Sequence, residues 1–514
     1  MSRHIIVVGA GSAGSVVARR LLDAGERVTV LEAGRPDENP AIHAMERMGE
    51  LWQSEDDWAY FTTPQEGAAG RRLHWPRGKC LGGSHSLNAA IWVRGAHADY
   101  DRWEAEGATG WSWADVAPVF TRIENVEESV GEDDLRGREG LLDVTVSGYQ
   151  HNEIFAALHE AAVQAGVPAN PDYNGAEIEG VGWEQLTMRD GKRLSTYRAY
   201  LHPVADHENL TIRTGVWVTR LLLDGTTVTG VEVAGTGDDG AITETIEADE
   251  VVLCAGALDS PRILLLSGVG PREHLEELGI DVALDLPGVG ENLHDHLLVP
   301  VIAHTAAREI APPSPGMPVS QMHHFTTFRE GSDVPDTQPI YFSVPMLNEG
   351  QEAPASSFSL MAGLVRPTSR GTLRLASADP TAPVLMDPRI LATEEDVASL
   401  VASVQQCREI VRQAAVAEEW GAVELHPGPE VTADADIEDY VRRNAITYHH
   451  QVGTCRMGTD EMSVVDPQTL AVHGLTGVRV VDASVMPSVT SGNTNAPAVM
   501  IGERGADFLL AGRG

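Results

Sequence analysis

The chain opens on a short β-branched run, His4 to Val8, followed by a glycine turn and a stretch of helical character. A second such run, Val28 to Leu31, ends at Glu32. Apolar runs of this length read as parallel strands buried on both faces. Strand, turn, helix, strand is therefore predicted over the first 32 residues. Glu250 to Ala255 reads as another strand. Near the C-terminus, "SGNTNAPAVMIGERGADFLL" passes from turn residues to a long apolar-periodic run, a helix start. Asn495 stands at its N-cap position and Pro497 in its first turn, where proline is tolerated. Arg366 to Pro388 reads as an antiparallel strand pair with proline-marked turns, part of a sheet roofing a pocket. Thr305 to Ser320 is proline-rich and irregular, a candidate mobile lid. Glu124 to Gly140 is charged and reads as a solvated loop. An extended reading of Tyr448 to Val452 puts His449 and His450 on opposite faces.

At 514 residues the chain is too long for one simple core. Roughly 100–200 residues per domain suggests two large or three smaller domains. A formal charge of −38 disfavours nucleic acid and anionic membranes as partners. It could concentrate a cationic substrate, or simply reflect an acid-rich or high-salt proteome. Lysine occurs only at Lys79 and Lys192. Cys80, Cys254, Cys407 and Cys455 lack metal-site spacing, so no metal is expected and the thiols read as reduced and cytosolic. The N-terminus shows no secretory leader, and no apolar run reaches the roughly 20 residues a membrane span needs. A cytoplasmic protein is expected, with homo-oligomerisation left open.

The opening turn, Gly9-Ala10-Gly11-Ser12-Ala13-Gly14, carries the first chemistry. Gly9 permits the bend, Gly11 lets backbone N–H groups approach a pyrophosphate, and Gly14 lets helix and strand pack closely. Glu32, at the end of the second strand, is placed to accept hydrogen bonds from a ribose. The pattern predicts a dinucleotide site without separating NAD from FAD.

Five further stretches narrow it. They are "WPRGKCLGGSHSLNAAIWVRG" (75–95), "GALDSPRILLLSGVG" (256–270), "PGVGENLHDH" (287–296), "YHHQVGTCRMG" (448–458) and the C-terminal stretch from Val480. With the opening turn, they resemble the glucose–methanol–choline (GMC) oxidoreductase family, in its order, over essentially the whole chain. The resemblance is closest to the choline dehydrogenase and choline oxidase-like branch of bacterial alcohol oxidisers.

That resemblance implies an α/β fold: a discontinuous Rossmann-like FAD domain (1–150, 205–300, 455–514) and an inserted substrate domain on an antiparallel sheet (151–204, 301–454). It implies extended FAD, with Glu32 and Ala33 at the adenosine ribose and Val218 near the adenine. Gly82, Gly83 and Asn88 would run along the pyrophosphate and flavin. Ala255 would lie beside the cofactor, with Asp482 and Ala483 at its pyrophosphate–ribityl end. A covalent link would fall on Leu87, which has no nucleophilic atom, so the FAD is expected to be non-covalent; His85 is a poor substitute.

Oxidising an alcohol requires its hydroxyl proton to leave with a hydride. At a pKa of about 16, free alkoxide at pH 7 costs roughly 12 kcal/mol. A nearby imidazole accepts that proton, and a second polar group holds the oxygen. Family spacing puts the base at His450 and the second group at Asn495. Gln451 departs from the family's usual proline there. Trp217, His323, His324, Tyr341 and Phe342 read as core more than pocket. The expected reaction turns a primary alcohol into an aldehyde, with O2 or another electron acceptor. A sugar or glycoside oxidoreductase, a flavin-containing hydroxynitrile lyase, an NAD-binding protein and a non-catalytic flavin binder are the alternatives.

Overall fold

The structure is a computed structural model, and it describes residues 2–131, 135–235 and 242–512. Its centre is a five-stranded parallel sheet, ordered Leu210–Thr214, Arg27–Glu32, His4–Val8, Glu250–Leu253, Val478–Val480. Four of the five residues of His4–Val8 are buried, as an apolar run flanked on both sides requires. The sheet's order reverses direction beside that strand, since Arg27–Glu32 lies on one side and Glu250–Leu253 on the other. Such a reversal leaves a crevice at the strands' carboxyl ends, where the glycine turn sits.

Helix Ser12–Asp23 follows the turn and packs against the C-terminal helix Asn495–Ala511. Gly502 permits this approach, since a Cβ there would lie 2.9 Å from the Ala13 carbonyl oxygen. The same interface buries Glu503, which accepts from Arg20 Nη2 at 2.8 Å. A helix from the end of the chain thus covers the first helix.

A seven-stranded antiparallel-rich sheet forms the second layer. Its strands include Gly180–Trp183, Leu297–Thr305, Ser320–Phe325, Ile340–Phe342, Ser357–Leu364 and Ala422–His426, with Ile446–Thr447 paired to the second of these. The strand Leu297–Thr305 crosses the domain boundary expected at residue 300.

Several local expectations need correction. Thr372–Leu375 and Val384–Asp387 do pair antiparallel, but as a separate two-stranded unit outside the larger sheet. Glu124 is not solvated: it is fully buried and accepts from both Arg94 and Arg136, a partner set distant in sequence. Positions 132–134 of that segment lie outside the described residues. The proline-rich segment is pinned by bonds from Asn152 Nδ2 to the Ala311 carbonyl and from the Gln150 N–H to the Gly316 carbonyl.

Candidate active site

The glycine turn is shaped by steric necessity. Gly9 has φ +97°, and a Cβ there would come within 2.6 Å of the Cys254 carbonyl oxygen. At Gly14 a Cβ would meet the Gly9 carbonyl oxygen at 2.0 Å. Glu32 clamps the turn: it accepts from the Ala10 N–H at 2.9 Å and the Gly34 N–H at 2.8 Å. Burial pushes its carboxyl up to about 7, against the pull of those two bonds.

From this turn a cavity runs beneath the seven-stranded sheet. One end is lined by Gly9, Gly11, Ser12, Ala13, Glu32 and Ala33, with Val218, Ala255, Asp482 and Ala483 around it. Asp482 is occupied by bonds from the Gly256 N–H and the Ser260 hydroxyl. Gly83 and Asn88 continue the lining. Gly14 and Gly82 shape the wall from behind: the Gly82 N–H donates to the Ala10 carbonyl. Trp58 and Trp217 also line the cavity, their rings 6.0 Å apart, and Lys79 and Arg262 lie over them. Trp217 therefore faces the cavity, and Phe342 lines it while packing in the apolar core. His323, His324 and Tyr341 do not; His324 sits between the Tyr341 hydroxyl and Gln406.

The far end holds His450. Its backbone N–H donates to Asp295 Oδ1 at 2.7 Å, and its ring stacks on Tyr448 at 4.7 Å. Nδ1 lies 3.0 Å from His296 Nδ1, and Nε2 lies 3.4 Å from the Asn493 amide nitrogen. The amide orientation at Asn493 sets the tautomer. Gln338 Nε2 donates to Asn493 Oδ1 at 2.9 Å, which turns the Asn493 NH2 toward His450. His450 Nε2 must then carry the lone pair, and its Nδ1–H donates to His296. Burial holds the His450 pKa well below the ordinary range, reinforced by His296, His449 and the Arg77 charge. The imidazole is neutral, the form a base requires.

Asn495 is not the amide beside His450. The helix begins at Asn495 itself, with Thr494 as its cap residue. That start directs the Asn495 side chain to the glycine turn: Ser12 Oγ donates to its Oδ1 at 2.6 Å, and its Nδ2 lies 3.3 Å from His85. The amide two residues earlier, ahead of the helix, takes the place beside His450. The doubled asparagine in "GNTN" was the available signal. Asp295 and His296 were visible in "ENLHDH" but carried no sequence cue for this contact; Gln338 had none.

The alternation expected at His449 and His450 also fails. The strand ends at Thr447, and His449 takes the left-handed conformation at φ +69°. Both histidines therefore line the cavity, with His449 edge-on to Trp52 at 5.3 Å. Gln451 has a task proline could not perform: its amide donates to Asp295 Oδ2 at 2.8 Å. With the Thr447 hydroxyl, it holds Asp295 under the His450 segment. Burial pushes Asp295 up to about 6.

Leu87 lines the cavity, whereas His85 is buried against Thr187 and the Thr196 N–H. None of residues 305–320, the candidate lid, lines the cavity; Met48 and Trp52 do. Among the described residues no cluster fit for a metal ion and no helix long and apolar enough to cross a membrane occurs. All four cysteines are free and buried.

Comparison with known proteins agrees with this geometry. Residues 3–298 and 367–502 match the two GMC oxidoreductase family models, so the chain belongs to the GMC oxidoreductase family. It is an FAD-dependent oxidoreductase acting on CH–OH groups. The oxygen-dependent choline dehydrogenase of Staphylococcus saprophyticus subsp. saprophyticus is 37% identical, over 99% of this chain and 95% of that protein. The mitochondrial choline dehydrogenase of Mus musculus is 39% identical, over 98% and 89%. The crystal structure of pyridoxine 4-oxidase from Mesorbium loti superposes with a TM-score of 0.91 at 34% identity, each chain covered completely. The glycine cradle, the Glu32 clamp and the cavity's continuity from turn to His450 fit FAD, which the chain holds non-covalently.

Proposed function

We propose that this chain oxidises a primary alcohol to an aldehyde, with His450 as the base and Asn493 as the group that holds the substrate oxygen. The segments around the parallel sheet hold the cofactor and the seven-stranded sheet builds the substrate end, which Asn493 reaches from the C-terminal segment. The observation that carries the reading is the pair of His450 Nε2 and Asn493 Nδ2, 3.4 Å apart on one cavity wall. The acceptor and the donor face the same space. An alcohol oxygen entering between them replaces their 3.4 Å contact: it donates its proton to His450 Nε2 and accepts from Asn493 Nδ2.

Bound FAD supplies the acceptor for the hydride that leaves the alcohol carbon. Everything else falls to the chain. Asn493, oriented by Gln338, fixes the oxygen so that the carbon is aimed before reaction. His450 takes the proton as the C–H bond breaks, avoiding the roughly 12 kcal/mol cost of free alkoxide. His296 accepts the Nδ1–H bond and keeps the proton-accepting nitrogen toward substrate. Glu32, Ala33 and Val218 would hold the adenosine end, with Trp58 and Trp217 beside it. The turn N–H groups, Asp482 and Ala483 would take the middle of the cofactor.

An anaerobic alcohol screen followed by absorbance tests the reading. Bleaching of the flavin by alcohols, with aldehyde in equal amount, is the expected result. A flavin that stays oxidised with every alcohol would refute it and leave the lyase alternative. Repeating the reaction in air, with peroxide detection, separates O2 from another acceptor.

A further inference from the structure

The wall facing His450 can be read from strand register. Leu298 is opposite Gly363 on one side and Ile446 on the other, while Met361 is opposite Pro300 and Ile340. Phe342, two residues past Ile340, shares its face. These positions therefore lie on one face of the seven-stranded sheet, and Leu298, Met361, Ile340, Phe342 and Ile446 all line the cavity. None is polar.

The carboxylates that line the cavity are Glu32, Asp259 and Asp482. Each is already engaged, with the glycine turn, with Tyr60 and Arg262, and with the Gly256–Ser260 segment respectively. All belong to the cofactor end. Three buried carboxyls near the substrate end do not line the cavity, and Asp57 among them accepts from His74 and the Arg77 N–H. Asp295 is held beneath the His450 segment by Thr447, Gln451 and a backbone N–H. Glu184 accepts from the Ser320 hydroxyl, and burial pushes its pKa well up. Arg77 lines the cavity and donates to the His449 carbonyl, while the carboxyls that act on it, Asp57 and Asp295, lie behind the lining.

Aromatic rings alone can hold a cation when several faces are free. Here Tyr448 is stacked on His450, and the Trp52 ring meets His449. Phe342 cannot form a cage alone.

We propose that the alcohol accepted here is uncharged and apolar, an alkyl or aryl carbinol, and that quaternary ammonium alcohols such as choline are poor substrates, despite the chain's similarity to choline dehydrogenases. This rests on the alcohol-oxidation reading above. A quaternary ammonium at this end would be desolvated beside the Arg77 guanidinium, with no carboxylate in the lining there to pair with it. The acidic surface acts only on encounter and is screened by salt.

The discriminating pair is choline and 3,3-dimethylbutan-1-ol, which have the same shape but differ in charge. Flavin reduction in the purified holoenzyme should be followed anaerobically at about 0.3 M salt, which shortens the Debye length well below 10 Å. The neutral isostere should exceed choline in kcat/KM by at least about 100-fold, the scale of an unpaired buried charge. Choline equal to or better than its isostere would overturn the substrate class while leaving alcohol oxidation intact. Reduction by no alcohol in a panel that includes benzyl alcohol and hexan-1-ol would overturn both. Met361→Glu, with full flavin content, should narrow the ratio at least tenfold, and Met361→Gln should not. An unchanged ratio in Met361→Glu would remove this wall from the substrate site.

Discussion

Replacing His450 by alanine isolates the proposed proton transfer. The backbone N–H of residue 450 keeps its bond to Asp295, because that contact does not involve the side chain. What is lost is the ring: its stack on Tyr448, its bond to His296 and its contact with Asn493. None of these touches the glycine turn, so flavin content should match the parent. A positioned general base contributes about 10²- to 10⁴-fold, so flavin reduction at saturating alcohol should slow about 10³-fold, or about 4 kcal/mol. The pH profile adds a second readout. Between about pH 8 and 10 the parent should be flat, because the depressed His450 pKa keeps the ring neutral there. The same window lies above the carboxyls of Glu32, at about 7, and Asp295, at about 6. The alanine variant must instead draw on free alkoxide, so its rate should rise about tenfold per pH unit. Anaerobic stopped-flow at 450 nm, the usual flavin band, measures both. A fully flavinylated variant that reduces within about threefold of the parent rate, or that shows no pH slope, refutes His450 as the base.

The two asparagines should separate cleanly. Asn493→Ala should slow flavin reduction by about 10- to 100-fold with flavin retained, the loss of one oriented donor. Asn495→Ala should instead loosen the Ser12 contact and lower FAD affinity, read by fluorescence on dilution. Gly14→Ala forces a Cβ to 2.0 Å from the Gly9 carbonyl oxygen, so soluble protein should lack flavin and melt several degrees lower in calorimetry. Glu32 has its folded pKa raised from 4.5 to about 7, so it stabilises the flavin-free protein below about pH 4.5 and loses that contribution as pH rises through 7. Glu32→Gln should flatten this part of the stability–pH curve, by about 3 kcal/mol between its ends, as followed by urea unfolding at several pH values.

Much of the cofactor half was legible because its information is local. The opening strand, the glycine turn and the acid that clamps it all lie within the first 32 residues. The steric rule at Gly14 operates between neighbours in the same motif, so spacing alone conveys it, whereas the crowding at Gly9 comes from Cys254 on a distant strand. The family resemblance extended the reading to the remaining segments and to the proximity of histidine and asparagine stretches. Single side chains are not legible where a backbone torsion, an element boundary or a distant partner decides direction, as at His449, Asn495 and Glu124.

The chain's order of residues determined a dinucleotide cradle, an acid at its second strand and a histidine-bearing segment near its end. Only the tertiary structure decided which groups meet there. A left-handed turn at His449 brought both histidines to the cavity, and a helix starting at Asn495 sent that amide to Ser12 and left Asn493 beside His450. The physical reason is that a side chain's direction depends on torsions and strand register set by packing between distant segments, whereas strand, turn and helix patterns are written in neighbours.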